Sequence, residues 1–175
     1  MNFLILSDSH RNRINVAIAA SRAGVGIGAI DAILFLGDGI SDLGYENSYS
    51  GVPVFKVLGN CDFFTSVSHP DVEDELFLRF EEYNIMMTHG DKYFVKSTLE
   101  GAMERAAKAD CDILLFGHTH APLEKYLAEG EKVGATVLKK PLYVFNPGSI
   151  NEGSFGRLSL SERGVLFSHG SLKKT

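Results

Sequence analysis

The sequence predicts an α/β protein of one domain spanning residues 1–175, and three observations carry the prediction. Short apolar runs recur along the chain, too short for helices and continuous enough for strands covered on both faces. Near the N-terminus a helical segment lies between two such runs, the order of a parallel pair joined by a right-handed crossover. The later half is mostly strand, interrupted by one segment that carries a helix-start signal.

Asn2 to Leu6 is the first strand. Arg13 to Ala23 follows as a helix, with Asn12 as its N-cap, Gly24 past its end, and Ile14, Ala17 and Ile18 at helical spacing for a core face. Gly24, Gly26 and Gly28 form a loose connection. They are no dinucleotide fingerprint, because G-x-G-x-x-G is absent and they precede a strand. Ala32 to Leu36 is the second strand and Val54 to Leu58 the third. Between them Gly39 to Gly51 reads as loop with at most a short helix, and Cys61 to Asp74 reads as a loop on the rim of a cleft.

Leu76 to Phe80 and Ile85 to Thr88 pair across Glu81-Glu82-Tyr83-Asn84. Ser97-Thr98-Leu99-Glu100 is a capping box that opens a helix reaching Ala109, with Leu99, Met103, Ala106 and Ala107 on one face. Ile113 to Phe116 and Leu123 to Ala128 are strands. Val137 to Phe145 is extended, with Pro141 suiting an edge or a bulge, and Gly156 to Leu160 and Val165 to His169 form a closing hairpin.

With 45% hydrophobic and 22% charged residues the composition is that of an ordinary water-soluble protein. A net charge of −5 argues against non-specific nucleic-acid or membrane-surface binding, which needs a basic face. Bound cations would still allow a phosphate-bearing substrate. Cys61 and Cys111 are too few for a disulfide scaffold. The first apolar run is short, lacks a basic lead and meets Asp8 and His10 almost at once, unlike a signal peptide. No run approaches a membrane span, and a reduced cytoplasm is the expected location.

The apolar runs share an ending. They lead into Ser7-Asp8-Ser9-His10, Gly37-Asp38, Gly59-Asn60-Cys61-Asp62, His89-Gly90, Gly117-His118-Thr119-His120 and Asn146-Pro147-Gly148-Ser149. Residues two apart in an extended segment project to the same side, so His118 and His120 present two imidazoles together, while Gly117 lets another backbone or an ion come close. Repeated junctions of this kind predict strand ends converging on one site. The collected ligands are Asp8, His10, Asp38, Asn60, His89, His118 and His120. Oxygen and nitrogen donors of intermediate hardness suit Mn, Fe, Co, Ni or Zn. The set exceeds one tetrahedral ion and matches two ions that share a carboxylate. Two ions roughly 3.5–4 Å apart would acidify a bridging water and clamp the attacking and leaving oxygens of a phosphoryl group, which points to phosphate-ester hydrolysis by a metal hydroxide. No G-x-S-x-G elbow competes with that reading.

In this order the motifs Asp8-Ser9-His10, Gly37-Asp38, Gly59-Asn60-Cys61-Asp62, Thr88-His89-Gly90 and Gly117-His118-Thr119-His120 resemble those of the calcineurin-like metallophosphoesterase superfamily. The short length, the Asn60-Cys61-Asp62 variant and the Asn146 to Ser149 turn resemble its small YfcE-type phosphodiesterases. The resemblance implies a four-layer α/β/β/α sandwich in which two mixed sheets pack face to face with helices outside. It implies a first ion on Asp8, His10, Asp38 and His120 and a second on Asp38, Asn60, His89 and His118, with Asp38 bridging. The implied cofactor is two divalent ions, manganese first, with iron, nickel or zinc as the family's other metals.

On this reading Asp38, Asn60, Cys61 and His89 form the catalytic group, and Arg11, Asn60, Asn146 and Ser149 are candidate substrate contacts. The expected partner is a small phosphate ester, with no membrane and no stable nucleic-acid binding. Many relatives carry a histidine after the metal-binding Asn, where it protonates the leaving oxygen; here the position holds Cys61. A thiol with a reference pKa of about 8.5 donates a proton poorly at neutral pH and offers no charge to a phosphate. That tilts the expectation toward diesters, and toward either esters with good leaving groups or an acid recruited from elsewhere. The alternatives are a phosphomonoesterase or nucleotidase on the same site, and a non-catalytic, Vps29-like interaction module, against which the intact ligand set speaks. An exposed sheet edge would allow a homodimer. Asp62 reads as a structural or ligand-orienting residue, Cys111 as a small buried apolar side chain, and His69 and His169 as structural.

Overall fold

The computed structural model describes residues 1–44, 49–63 and 70–173. Parts of the two expected loops, 39–51 and 61–74, and His69 lie outside the described residues. The strands are β1 (Asn2–Leu6), β2 (Ala32–Phe35), β3 (Val54–Lys56), β4 (Glu75–Phe80), β5 (Tyr83–Thr88), β6 (Ile113–Phe116), β7 (Leu123–Leu127), β8 (Lys132–Val133), β9 (Thr136–Val137), β10 (Leu142–Asn146), β11 (Ser154–Ser161) and β12 (Gly164–Ser171). Among the described residues the helices are α1 (Arg13–Ala23) and α2 (Glu100–Lys108), with 3₁₀ turns at Ile40–Leu43 and Asp91–Tyr93.

Ten strands form two five-stranded sheets, one in the order β12-β11-β1-β2-β3 and the other β4-β5-β6-β10-β7. Each has three parallel strands, β1, β2 and β3 in the first and β5, β6 and β10 in the second, extended by antiparallel neighbours. β8 and β9 form a separate small ribbon.

Alternation along the strands divides the core into three. Phe3, Ile5, Leu34, Ile85, Met87, Ile113, Leu115 and Phe145 fill the space between the sheets. Leu4, Leu6, Ile33 and Phe35 point the other way, onto Val16, Ala19, Ala20 and Ala23 of α1. On the far side Met86, Leu114, Phe116 and Val144 pack against Ala102, Met103 and Ala106 of α2. The layers are therefore helix, sheet, sheet, helix, the α/β/β/α arrangement that the resemblance implies. Phe3–Leu6 of β1, β2 and β6 have no solvent-facing side and are apolar throughout for that reason, while Asn2 stands exposed at the start of β1.

Three details correct the sequence expectations. α1 has the expected ends, since the Asn12 side chain accepts from the Asn15 N–H and Gly24 closes the helix at φ 85°, but its core face is Val16, Ala19, Ala20 and Ala23. Ile14 is 72% exposed and Ile18 39%. The alanines let α1 lie close on the sheet, so close approach decided the face rather than side-chain size. The capping box at α2 does not form: Thr98 Oγ1 accepts from the Glu100 N–H, and Leu99 occupies the cap position with no side-chain bond. The extended stretch 137–145 is split, and Pro141 precedes β10, an interior strand between β6 and β7. Its missing N–H falls outside the ladder there, so the proline marks a strand start instead of an edge.

Candidate metal centre

Every predicted ligand follows a strand, and β1, β2, β5, β6 and β10 run parallel within their sheets. In α/β sheets a site forms outside the carboxyl ends of such strands. The junctions are stitched together by backbone bonds: Asp8 N–H donates to Gly37 O at 3.0 Å, His10 N–H to Asp38 O at 3.1 Å, and Gly117 N–H to His89 O at 3.0 Å. Asp8, His10, Asp38, His118 and His120 all have positive φ, between 44° and 66°. Non-glycine residues rarely adopt that conformation, and it turns these side chains sharply off the strand ends.

Two glycines make the crowding possible. A Cβ on Gly117 would collide with Ser7 Oγ and lie 3.1 Å from Asp8 Oδ2; one on Gly59 would run into the backbone and carboxylate of Asp38. The 37–40 and 59–62 loops are tied by Asp62, which is 3% exposed. Its carboxylate accepts from the N–H groups of Asp38, Gly39, Ile40 and Gly59 at 2.8–3.0 Å. Asp42 does the same for the first turn, accepting from Ser9 Oγ at 2.6 Å and Arg11 N–H at 2.8 Å.

The side chains gather in overlapping groups, Asp8 with His10 and His120, Asp38 with His89 and His118, and His10 with Asp38 and Cys61, each with its donor atoms within 4.8 Å of one another. His120 Nε2 is 3.3 Å from Asp8 Oδ1 and 3.2 Å from His10 Nε2. His89 Nε2 is 3.4 Å from Asp38 Oδ2 and 3.1 Å from His118 Nδ1. Asn60 is exposed beside the cluster, its amide donating to Cys61 Sγ at 3.3 Å.

The donors fit divalent ions. Asp8 Oδ1 is buried with no hydrogen-bond partner, while Asp8 Oδ2 accepts from the His118 N–H at 3.1 Å. Asp8 and Asp38 are 0% and 3% exposed. Among the described residues their ion-pair neighbours are histidines only. Buried carboxylates need compensating charge, and a cation among these imidazoles would supply it. His89 has the orientation a ligand would need, because its Nδ1 donates to Leu36 O at 2.7 Å and Nε2 faces the carboxylates.

The electrostatics point the same way. Burial alone would raise the Asp38 pKa, but the His89 ring and the Cys61 backbone N–H outweigh it and hold the carboxyl well below its usual range. Burial works against a charged His89, yet the Asp38 and Asp8 carboxylates and the Leu36 carbonyl prevail and raise its pKa. Burial, then the charges of His89 and Lys96, lower that of His118. Desolvation of its inner side and the neighbouring Asp38 push the Cys61 thiol up to about 11.

The candidate substrate contacts separate into two kinds. Arg11 and Asn60 are exposed at the site. Asn146 and Ser149 are fully buried beneath it. Asn146 Nδ2 donates to Gly117 O at 2.8 Å and its Oδ1 accepts from Gly148 N–H, while Ser149 Oγ donates to Asp8 O at 2.9 Å. With no surface and no spare hydrogen-bonding direction toward solvent, these two brace the ligand loops and do not line a pocket. His169 is likewise structural, stacked on Phe145 with Nε2 2.8 Å from Asn146 O. Sequence reasoning missed Glu152, whose Oε1 lies 3.5 Å from His120 Nδ1. Only its position shortly after the Asn146 to Ser149 turn hinted at the site.

Known proteins resemble this chain in sequence and in fold. Residues 1–169 match the calcineurin-like phosphoesterase superfamily domain. The chain is 33% identical over 151 residues to a probable metallophosphoesterase, YsnB, of Bacillus subtilis, an alignment covering 86% of this chain and 75% of that protein. Among solved structures it superposes on a conserved Streptococcus pneumoniae protein described as a predicted phosphoesterase, with a TM-score of 0.72, 22% identity and coverage of 97% of this chain and 88% of the other. Vps29 of Entamoeba histolytica, solved with Zn²⁺, superposes with a TM-score of 0.69 at 20% identity, covering 99% and 100% of the two chains. The sheet order, the converging ligands and the match along nearly the full length lead to one conclusion: the chain belongs to the calcineurin-like phosphoesterase superfamily.

Proposed function

We propose that this family member hydrolyses small phosphodiesters with two divalent metal ions, manganese being the first to test. The observation that carries the reading is the buried pair Asp8 and Asp38, ringed by four imidazoles with no lysine or arginine paired to either among the described residues. Asp8, His10, Asp38 and His120 would hold one ion, and Asp38, Asn60, His89 and His118 the other. Divalent ions bound there supply an acidified water and positive charge for phosphoryl oxygens.

The chain's own groups do the rest. The Leu36 carbonyl holds the His89 tautomer, Asp62 fixes the backbone that carries Asp38, and Asn146 and Ser149 brace the loops of His118 and Asp8. With no ion beside it Cys61 stays neutral at pH 7, and Arg11 is an exposed cation next to His10. A site with so little fixed positive charge suits the single charge of a diester better than the double charge of a monoester.

The test is turnover of bis(p-nitrophenyl) phosphate and p-nitrophenyl phosphate by metal-stripped protein with and without Mn²⁺. The expected result is Mn²⁺-dependent hydrolysis favouring the diester, reduced about 100-fold or more in Asp38→Asn. A monoester rate equal to or above the diester rate overturns the substrate class. A second reading, a Vps29-like interaction module, is favoured by the near-complete superposition on Vps29. Confirmed metal binding without hydrolysis of either ester would select it.

A further inference from the structure

Cys61 stands at the centre with no role in either expected ion sphere. Its Sγ belongs to a group with a His10 ring nitrogen and an Asp38 carboxylate oxygen, all within 4.8 Å of one another. His10 belongs also to the Asp8 and His120 group and Asp38 to the His89 and His118 group, so the thiol lies where the two other clusters meet. The unpartnered, fully buried Asp8 Oδ1 lies 3.9 Å from His10 Nε2, and the Asp8 charge reaches the thiol as well. The Asn60 amide donates to Sγ at 3.3 Å and holds the side chain against the cluster. A soft sulfur donor has thus been placed among hard and borderline ones.

We propose that Cys61 is a metal ligand and biases the centre toward thiophilic divalent ions such as Zn²⁺, Co²⁺ and Cd²⁺ relative to Mn²⁺. The inference rests on the metal-site reading above. Sulfur binding is selective because thiolate prefers softer cations, whereas carboxylate and water suit Mn²⁺. On coordination the S–H bond is exchanged for an S–metal bond: the proton leaves to solvent, the ion gives up one water, and no electrons are transferred. His10 and Asp38 then serve both the ion and the orientation of the sulfur. This also accounts for a cysteine where a charged proton donor would be expected, since a thiolate held on the ion is unavailable as an acid.

The experiment titrates metal-stripped protein with Co²⁺ and follows the visible d–d bands, which report binding by any donor, and the near-ultraviolet sulfur-to-cobalt charge-transfer band, which reports thiolate. The expected result is both bands in the parent protein. In Cys61→Ser and Cys61→Ala the d–d bands persist and the charge-transfer band disappears, while Cys111→Ser keeps both. Cys61 is exposed, so these variants are expected to fold, which circular dichroism verifies. In parallel, Cd²⁺ affinity is expected to fall about 10-fold or more in Cys61→Ser while Mn²⁺ affinity holds. Visible bands without charge transfer in the parent protein overturn the cysteine ligand and leave the metal site standing. Absence of any Co²⁺ binding overturns both.

Discussion

Asp62 shows at the scale of one residue how the site is set by a side chain outside the ligand groups. Four backbone donors converge on its carboxylate, and removing it leaves all four short of a partner, those of Asp38 and Ile40 in a buried place and those of Gly39 and Gly59 in a half-buried one. Asp62→Ala is expected to cost about 3–5 kcal/mol, read from a urea denaturation midpoint, and to weaken metal binding because Asp38 loses its backbone support. The residues that gather at the candidate metal centre were legible because their chemistry shows in linear motifs: His118 and His120 two apart, Asp8 and His10 two apart, each after an apolar run. Glu152 was not, since the proximity that makes it relevant to His120 arises only when the loop after β10 folds back. Asn146 and Ser149 sat in a recognisable turn, but sequence cannot tell a turn that faces a substrate from one buried beneath the loops it braces.

The helix α1 carries a lesson of its own scale. Asn12 and Gly24 mark its ends unambiguously, while its faces compete, because Ile14 and Ile18 form as good an apolar pair as Val16 and Ala20. The small residues won because the helix lies directly on Leu4, Leu6, Ile33 and Phe35. Val16→Ala is therefore expected to cost about 1–3 kcal/mol and Ile14→Gln no more than about 0.5 kcal/mol, measured by the same denaturation series. The reverse ranking would mean that the isoleucine face is buried. Strands were easier to read, since β1, β2 and β6 are sandwiched between layers and have no polar face to confuse the pattern.

For the whole molecule, the candidate ligands come from both sheets. Asp8, His10 and Asp38 follow strands of one, and His89, His118 and His120 follow strands of the other. On the proposed reading, cations bound between them would act as a staple that the unfolded chain lacks. At a free concentration of about 100 times Kd, each ion is expected to add about 2.7 kcal/mol, equivalent to a rise in Tm of about 5–10 °C, checked by calorimetry with and without Mn²⁺. An unchanged Tm under saturating metal would contradict a site that bridges the sheets. The fold class was legible because the helical and strand periods alternate early and the strands dominate late. The pairing of β1 with β11 was not, because no local pattern links residues so far apart.

That pairing bears on how the molecule comes into being. β1 lies between β2 and β11, with Asn2 opposite Ser159 and Ile5 opposite Gly156. As the chain leaves the ribosome, the strand leading to Asp8 and His10 keeps one open edge until nearly all of the sequence has emerged. The β11–β12 hairpin then closes it, so the earliest ligands synthesised are among the last to be fixed. Assembly of this kind depends on distant contacts and is intrinsically slow, with the half-made sheet exposed to other chains throughout the wait.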